Sequence, residues 1–355
     1  MDTSLPMLDR LREEVERASQ RNIKGWNYLI SNGPPRGVTP KDVIRTRGTM
    51  ALYHYHPLVD EIYRAPVLLV MATTNRAYIF DLAKGQSLVE FLLLRGYDVY
   101  VLDWNPPRAD EGRLRLEDYV LDFIPDCMRQ VASRSGEADV SVIGYCMGGV
   151  LSLIYGALHA GGPMKNLACL ATPFDWSKMG LFNAWSDPSH FNVDEIIETS
   201  GVVPPELIAL SFEMLRPVSK VTGQIQLWDN MWNDEFVKSY RGFDRWTTEV
   251  LPLAGAYFKQ ISQDLLVGNK LYHGDLQVGG RVVDVGEITV PFLHAVALHD
   301  HIIPYESSKD LVQRIGSQDK EEVVFKGGHV SVVAGGSAVK RLWPKLDEWL
   351  AVRST

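Results

Sequence analysis

Cysteine is scarce in this 355-residue chain: the three present are Cys127, Cys146 and Cys169, with no C-x-x-C pair among them. An odd, sparse set fits a reducing cytosol better than a disulfide framework. Excess positive charge is also lacking. The 36 Lys+Arg against 44 Asp+Glu leave a net charge of −8, which argues against nucleic acid as a partner. Low-complexity tracts and internal repeats are missing, and 46% hydrophobic with 23% charged residues excludes disordered or collagen-like classes. Met1 to Arg10 carries Asp2, Asp9 and Arg10 and no apolar run, so no secretory signal is expected. Val140 to Met164 has no Asp, Glu, Lys or Arg and reaches the ~20 residues of a membrane span. It also holds Gly144, Gly148, Gly149, Gly161, Gly162, Pro163 and His159. A buried strand, a glycine-rich turn and a buried helix explain it better, so no membrane span is expected.

What is present is a rhythm. Leu5 to Leu29 reads as an amphipathic helix with a charged face, followed by a polar, turn-rich break at Ser31 to Gly37. Thr39-Pro40-Lys41-Asp42 has the form of a helix start, with Thr39 as N-cap and Pro40 at the first helical position. Short apolar runs then alternate with helical patterns. Strands are expected at Val67–Val70, Asp98–Trp104, Asp139–Ile143 and Asn166–Ala171. Helices are expected from the capping box Ser87–Glu90 to Gly96, over Leu116–Arg134 and over Val150–His159. That alternation implies a mostly parallel, doubly wound α/β sheet. From about Phe174 to Glu287 the pattern becomes helical and rich in Trp, including Trp176, Trp185, Trp228, Trp232 and Trp246. The rhythm returns with a strand at Thr289–Leu298, a helix from Ser307, a strand at Glu321–Phe325 and a helix over Ala338–Val352. The expected organisation is therefore a helical arm (1–50), an α/β core in two parts (51–173 and 288–355), and an inserted helical cap over a pocket (174–287).

The chemistry concentrates in Gly144-Tyr145-Cys146-Met147-Gly148-Gly149. This is G-x-nucleophile-x-G between an apolar strand and a helix, the nucleophile elbow of the α/β-hydrolase fold, with Cys in place of Ser. A tight strand-to-helix turn lifts the side chain clear of the sheet and demands small neighbours. The helix N-terminus below it offers free N–H groups and a positive dipole end that favour an anionic sulfur. The plainer reading is a buried cysteine in a glycine-rich turn. A base and an acid follow in hydrolase order: Asp300 in Leu298-His299-Asp300-His301, then His329 in Lys326-Gly327-Gly328-His329-Val330. Each falls just after an expected strand, where an open parallel sheet places its site.

An oxyanion needs two donors. The backbone N–H of Met147 is one, and the backbone N–H of Thr74, on the loop Ala72–Arg76 after Val67–Met71, is nominated as the other. Asn75 and His301 are candidates for active-site support. His299 and His301 could instead flank a metal, but no third cluster has ligand spacing, so no metal is expected. His54 and His56 read as strand surface residues, and Cys127 and Cys169 as small core residues.

These motifs resemble the poly(3-hydroxyalkanoate) synthases, over most of the chain. Gly144–Gly149 is similar to that family's cysteine-containing lipase box, Asn75-Arg76-Ala77-Tyr78-Ile79 to its N-[KR]-x-Y-I segment, and Tyr97–Trp104 to its D-V-Y-x-x-D-W stretch. Asp300-His301-Ile302-Ile303-Pro304 and Gly328-His329-Val330 resemble its Asp and His motifs. Gly37–Lys41 and Leu52-Tyr53 resemble the lead-in of its short-chain members. The resemblance implies an acyltransferase that polymerises (R)-3-hydroxyacyl-CoA, of short chain length such as 3-hydroxybutyryl-CoA, through an acyl-Cys146. CoA is then a leaving group and no cofactor is implied. His329 would take the Cys146 proton, and Asp300 would either orient His329 or help deprotonate the incoming hydroxyl. The short length resembles the two-subunit types (class III and class IV). A companion subunit docking on the N-terminal arm or the cap, a homo-oligomer, and a cytoplasmic location at the surface of polyester granules are implied with it.

Two other readings stand beside this one. A Cys-dependent hydrolase, such as a thioesterase or a dienelactone hydrolase-like enzyme, shares the G-Y-C-x-G-G box but in shorter chains whose acid lies close after the nucleophile. A non-catalytic scaffold of the same fold would have no reason to keep all three triad residue types.

Overall fold

The computed structural model describes residues 5–30, 36–185 and 193–355. Eight strands form one sheet: β1 (Lys41–Arg47), β2 (Met50–Tyr55), β3 (Val67–Val70), β4 (Val99–Trp104), β5 (Val140–Tyr145), β6 (Met164–Leu170), β7 (Phe292–Ala297) and β8 (Lys320–Phe325). Their order is β1-β2-β4-β3-β5-β6-β7-β8. From β4 to β8 all pairings are parallel, and β2 joins β4 antiparallel with β1 outside it. Every residue of β3, β4, β5 and β7 is buried. Such wholly buried, mainly apolar runs are expected of strands covered by helices on both faces.

The helices of the core include α2 (Leu88–Leu94), α3 (Ile124–Ser135) and α4 (Met147–Leu158). The uncharged stretch from Val140 is thus β5, α4 and the start of β6. No helix among the described residues is long and apolar enough to cross a membrane. Ser87 caps α2 by accepting the Glu90 N–H at 2.9 Å. The reciprocal half of the expected capping box is absent, because the Glu90 carboxylate accepts the Gly85 N–H at 2.7 Å instead. The helix expected from Ser307 is shorter than its pattern suggests, a 3-10 turn at Tyr305–Ser307 and one turn at Leu311–Arg314.

Two expectations are corrected. Thr39-Pro40-Lys41-Asp42 does not open a helix: Lys41–Arg47 is the edge strand β1. The would-be N-cap Thr39 is spent elsewhere, its N–H and hydroxyl donating to the buried Asp81 carboxylate at 2.9 and 2.8 Å. The helical part of the expected 1–50 arm is therefore α1 (Leu5–Ile30), and residues 41–50 belong to the sheet. Of the break at Ser31 to Gly37, residues 31–35 lie outside the described residues. His54 is not a surface residue either. Its Nε2 lies 2.7 Å from Asp98 Oδ1 and its ring stacks on Tyr100 at 4.3 Å, whereas His56 is exposed.

Between β6 and β7 the chain leaves the sheet, and its described residues run through seven α-helices: α5 (Leu181–Trp185), α6 (Val193–Ser200), α7 (Pro205–Leu215), α8 (Ser219–Asp229), α9 (Asp234–Thr248), α10 (Gly255–Gln260) and α11 (Lys270–His273). A two-residue pairing of Val202–Val203 with Leu253–Ala254 ties this insert together. The arm α1 lies against it. Lys24 donates to the Trp232 carbonyl and pairs with Asp234, both at 2.8 Å, while Arg17 and Arg21 sit over the rings of Trp232 and Trp228.

Candidate active site

Cys146 sits between the last residue of β5 and the first of α4, with φ 53° and ψ −120°. A non-glycine residue at positive φ is strained and persists only where its surroundings impose it. Here they do. A Cβ on Gly148 would run into the Val70 carbonyl oxygen, and one on Gly144 would lie 2.6 Å from the Gly149 Cα. Only glycine lets α4 start this close to β3 and β5. The Cys146 N–H donates to Leu170 O at 2.9 Å, and its carbonyl accepts from Gly149 and Val150. Met147 opens α4, so its N–H is one of the donors the helix itself does not use.

His329 and Asp300 arrive from the ends of β8 and β7. His329 Nδ1 lies 2.7 Å from Asp300 Oδ2, and the two side chains are 5% and 7% exposed as residues. The other carboxylate oxygen, Oδ1, accepts the N–H groups of Ile302 and Ile303 at 2.9 and 2.8 Å. Both oxygens of Asp300 are thereby committed. Burial disfavours a charged imidazole. The Asp300 carboxylate and the Cys146 sulfur, each also hydrogen-bonded to the ring, outweigh that and push the His329 pKa up to about 10. The other two cysteines are fully buried, and burial pushes their thiols up. Cys146 is the one that is partly exposed.

This geometry has relatives. The family model described as "alpha/beta hydrolase fold" matches residues 80–335, and the one described as "Poly-beta-hydroxybutyrate polymerase (PhaC) N-terminus" matches residues 27–92. The poly(3-hydroxyalkanoate) polymerase subunit PhaC of Allochromatium vinosum is 32% identical over 351 residues, covering 97% of this chain and 98% of that one. The same-named subunit of Thiocystis violacea is 31% identical, covering 98% of each. The chain belongs to the poly(3-hydroxyalkanoate) polymerase family. That of Haloferax mediterranei is 33% identical over 90% of this chain, which spans 65% of its length. Members of the polymerase family are acyltransferases, and this chain is one by that membership. Solved structures share the fold alone. Monoglyceride lipase from Saccharomyces cerevisiae is 14% identical with a TM-score of 0.58, covering 92% of this chain and 100% of that one. The monoacylglycerol lipase of Paleococcus ferrophilus is 15% identical with a TM-score of 0.52, covering 87% and 100%.

The remaining candidates surround this centre. Thr74 and Asn75 lie on the loop after β3, and it is the insert that meets them there. The Thr74 carbonyl accepts the Leu251 N–H at 2.7 Å, and Asn75 bridges to Val250. His301 follows Asp300 and is half-buried. Burial first, and then the Arg216 guanidinium, hold its pKa below the usual imidazole range. Three residues escaped the sequence reading. Tyr145 puts its ring 5.1 Å from that of His329, tilted 35°, and walls the imidazole. Its place next to the nucleophile was the available signal. Tyr257 and Trp246 carried none, because their partners lie some 170 or more positions away.

Proposed function

We propose that this chain is the catalytic subunit of a poly(3-hydroxyalkanoate) synthase that polymerises (R)-3-hydroxyacyl-CoA, with 3-hydroxybutyryl-CoA as its short-chain substrate, and releases CoA. The observation that carries the reading is the pairing of a strained, partly exposed Cys146 with a buried His329–Asp300 couple. The Cys146 thiolate adds to the thioester carbonyl. The oxyanion is held by the Met147 and Thr74 backbone N–H groups. The tetrahedral adduct collapses by breaking the bond to the CoA sulfur, which takes the proton of the His329 imidazolium, and acyl-Cys146 remains. The 3-hydroxyl of a second acyl unit then gives its proton to neutral His329 and attacks the acyl-Cys146 carbonyl. This forms the ester and returns the thiolate. The commitment of both Asp300 oxygens supports a role in orienting His329 over one as base to the hydroxyl. His301 and Asn75 support the site. The insert acts as a cap that keeps water from the acyl-enzyme, which separates a transferase from a hydrolase.

A companion subunit docks on the arm. The stretch from Asp9 to Arg17 of α1 is exposed on every side, with Leu11 and Val15 at 58% and 63%. Such a segment gains little from its own chain. The product places the enzyme in the cytoplasm at the surface of polyester granules.

The test is mass spectrometry of the protein after brief exposure to 3-hydroxybutyryl-CoA, alongside product analysis. A hydroxybutyryl adduct on Cys146, together with polymer, is expected. Free 3-hydroxybutyrate without polymer would make the chain a Cys-dependent hydrolase.

A further inference from the structure

The loop that carries the second oxyanion donor is held at its ends by the core and in its middle by the insert. At one end, Trp104 of β4 donates its indole N–H to the Met71 carbonyl at 2.8 Å. At the other, the Asp103 carboxylate accepts the Ala77 N–H at 2.9 Å, and Arg76 donates to the Trp104 carbonyl at 2.8 Å. Between them, four consecutive residues meet one stretch of the insert. Thr73 Oγ1 lies 3.3 Å from the Tyr257 hydroxyl, Thr74 O accepts from the Leu251 N–H at 2.7 Å, and Asn75 bridges to Val250. Arg76 O accepts the Trp246 indole N–H at 2.7 Å. Tyr257 is fully buried, its ring 4.4 Å from that of Tyr119 in the core, and Trp246 is 6% exposed.

These contacts fix peptide planes. A trans peptide points its C=O and N–H in opposite directions, so gripping the carbonyls of Thr74 and Arg76 sets the 74–75 and 76–77 planes. The Thr74 N–H lies in the 73–74 plane, which is held between the Thr73 side chain on Tyr257 and the fixed 74–75 plane. We propose that the stretch Trp246–Tyr257 assembles the oxyanion hole: Tyr257, through Thr73, and Trp246, through the Arg76 carbonyl, are positioning residues that aim the loop's backbone donor, so the hole is complete only when the insert is docked on the core. The inference rests on the reading of Thr74 as the second donor in thioester chemistry. Movement of the insert to admit substrate would loosen the donor, and closure would restore it. Acylation is thus confined to the closed form, in which water is excluded.

The test uses the full chain with Tyr257→Phe, Thr73→Val and Trp246→Phe, and two readouts. One is steady-state CoA release from 3-hydroxybutyryl-CoA. The other is alkylation of Cys146 by iodoacetamide, a displacement at saturated carbon that forms no oxyanion. We expect kcat to fall about tenfold or more in each variant. KM and the alkylation rate should stay within about twofold. Tyr257→Phe combined with Thr73→Val should be no worse than the worse single variant, because both remove one hydrogen bond. Trp246→Phe keeps a ring in the buried site and loses only the donor and one ring, so it probes the clamp independently of Tyr257. Unchanged kcat in all three variants overturns the proposal. So does alkylation that slows in parallel with kcat, which would make these side chains supports of the sulfur or of the fold. Wild-type CoA release, measured first, separates the two readings. Its absence sinks the proposed function and the clamp with it, while normal wild-type release with unaffected variants sinks the clamp alone.

Discussion

The two sides of the Cys146 sulfur are built differently. On one side, Cys146, Asp300 and His329 hang from the ends of β5, β7 and β8, and the backbone that aims them is core: Leu170, Ile302 and Ile303 supply or accept the fixing hydrogen bonds. On the other side, the loop with Thr74 is finished by residues of the insert, Trp246, Val250, Leu251 and Tyr257. The proposed nucleophile and base, with the Met147 N–H of α4, thus rest on the sheet, while the proposed Thr74 donor rests on contacts with the insert. On the proposed reading, that division keeps Cys146 and His329 aligned at all times and reserves acyl transfer for a closed site.

The comparison breaks if the core side proves dispensable. Cys146→Ser should cost about 10³-fold or more in CoA release, because a serine hydroxyl is a far weaker acid and nucleophile than a thiol. Circular dichroism and the unfolding midpoint should match wild type, since the hydroxyl fits the same turn. Turnover near normal in that variant would remove the sulfur from the chemistry. Asp300→Asn comes next, with a loss of about 10²–10⁴-fold, by analogy with amide replacement in other triads. The pH signature sharpens it. His329 is raised from 6.5 to about 10, so its charge stabilises the folded state fully below about pH 6.5. That contribution fades as the pH rises toward 10. Urea unfolding of wild type between pH 6 and 10 should show this decline. In Asp300→Asn, with the main attraction gone and burial opposed only by the Cys146 sulfur, the decline should flatten and the alkylation of Cys146 at pH 7 should slow. A decline of equal size in both proteins would mean that Asp300 does not hold the imidazolium.

The same division explains what could be read in advance. The core side is encoded locally: the elbow is six consecutive residues, its glycines answer to steric collisions with Val70 and Gly149, and the acid and base each follow a strand. The mostly parallel, doubly wound character of the sheet follows from its alternating periods. Errors arose where a residue's partner is far away in sequence. Thr39 has the form of an N-cap until Asp81, forty-two positions on, accepts its hydrogen bonds. His54 has the form of a surface residue until β4 brings Tyr100 and β4's neighbour Asp98 against it. The clamp on the oxyanion loop is the extreme case, since Tyr257 and Trp246 sit in a helical stretch whose aromatic residues give no hint of which of them reaches the core.

The smallest effect belongs to the arm, whose contacts through Arg17, Arg21 and Lys24 run to the insert and not to the elements that carry Cys146. Lys24 bridges α1 to the insert through the Trp232 carbonyl and Asp234, but Asp234 is 82% exposed as a side chain, so the pair is screened by water. Lys24→Met should lower unfolding free energy by less than about 1 kcal/mol in a urea titration. It should leave iodoacetamide alkylation of Cys146 at the wild-type rate, because every bond that aims the nucleophile lies within the core. If alkylation dropped severalfold, the arm would be communicating with the triad through the insert. The separation between a rigid nucleophile side and an insert-dependent donor side would then have to be replaced by a single cooperative site.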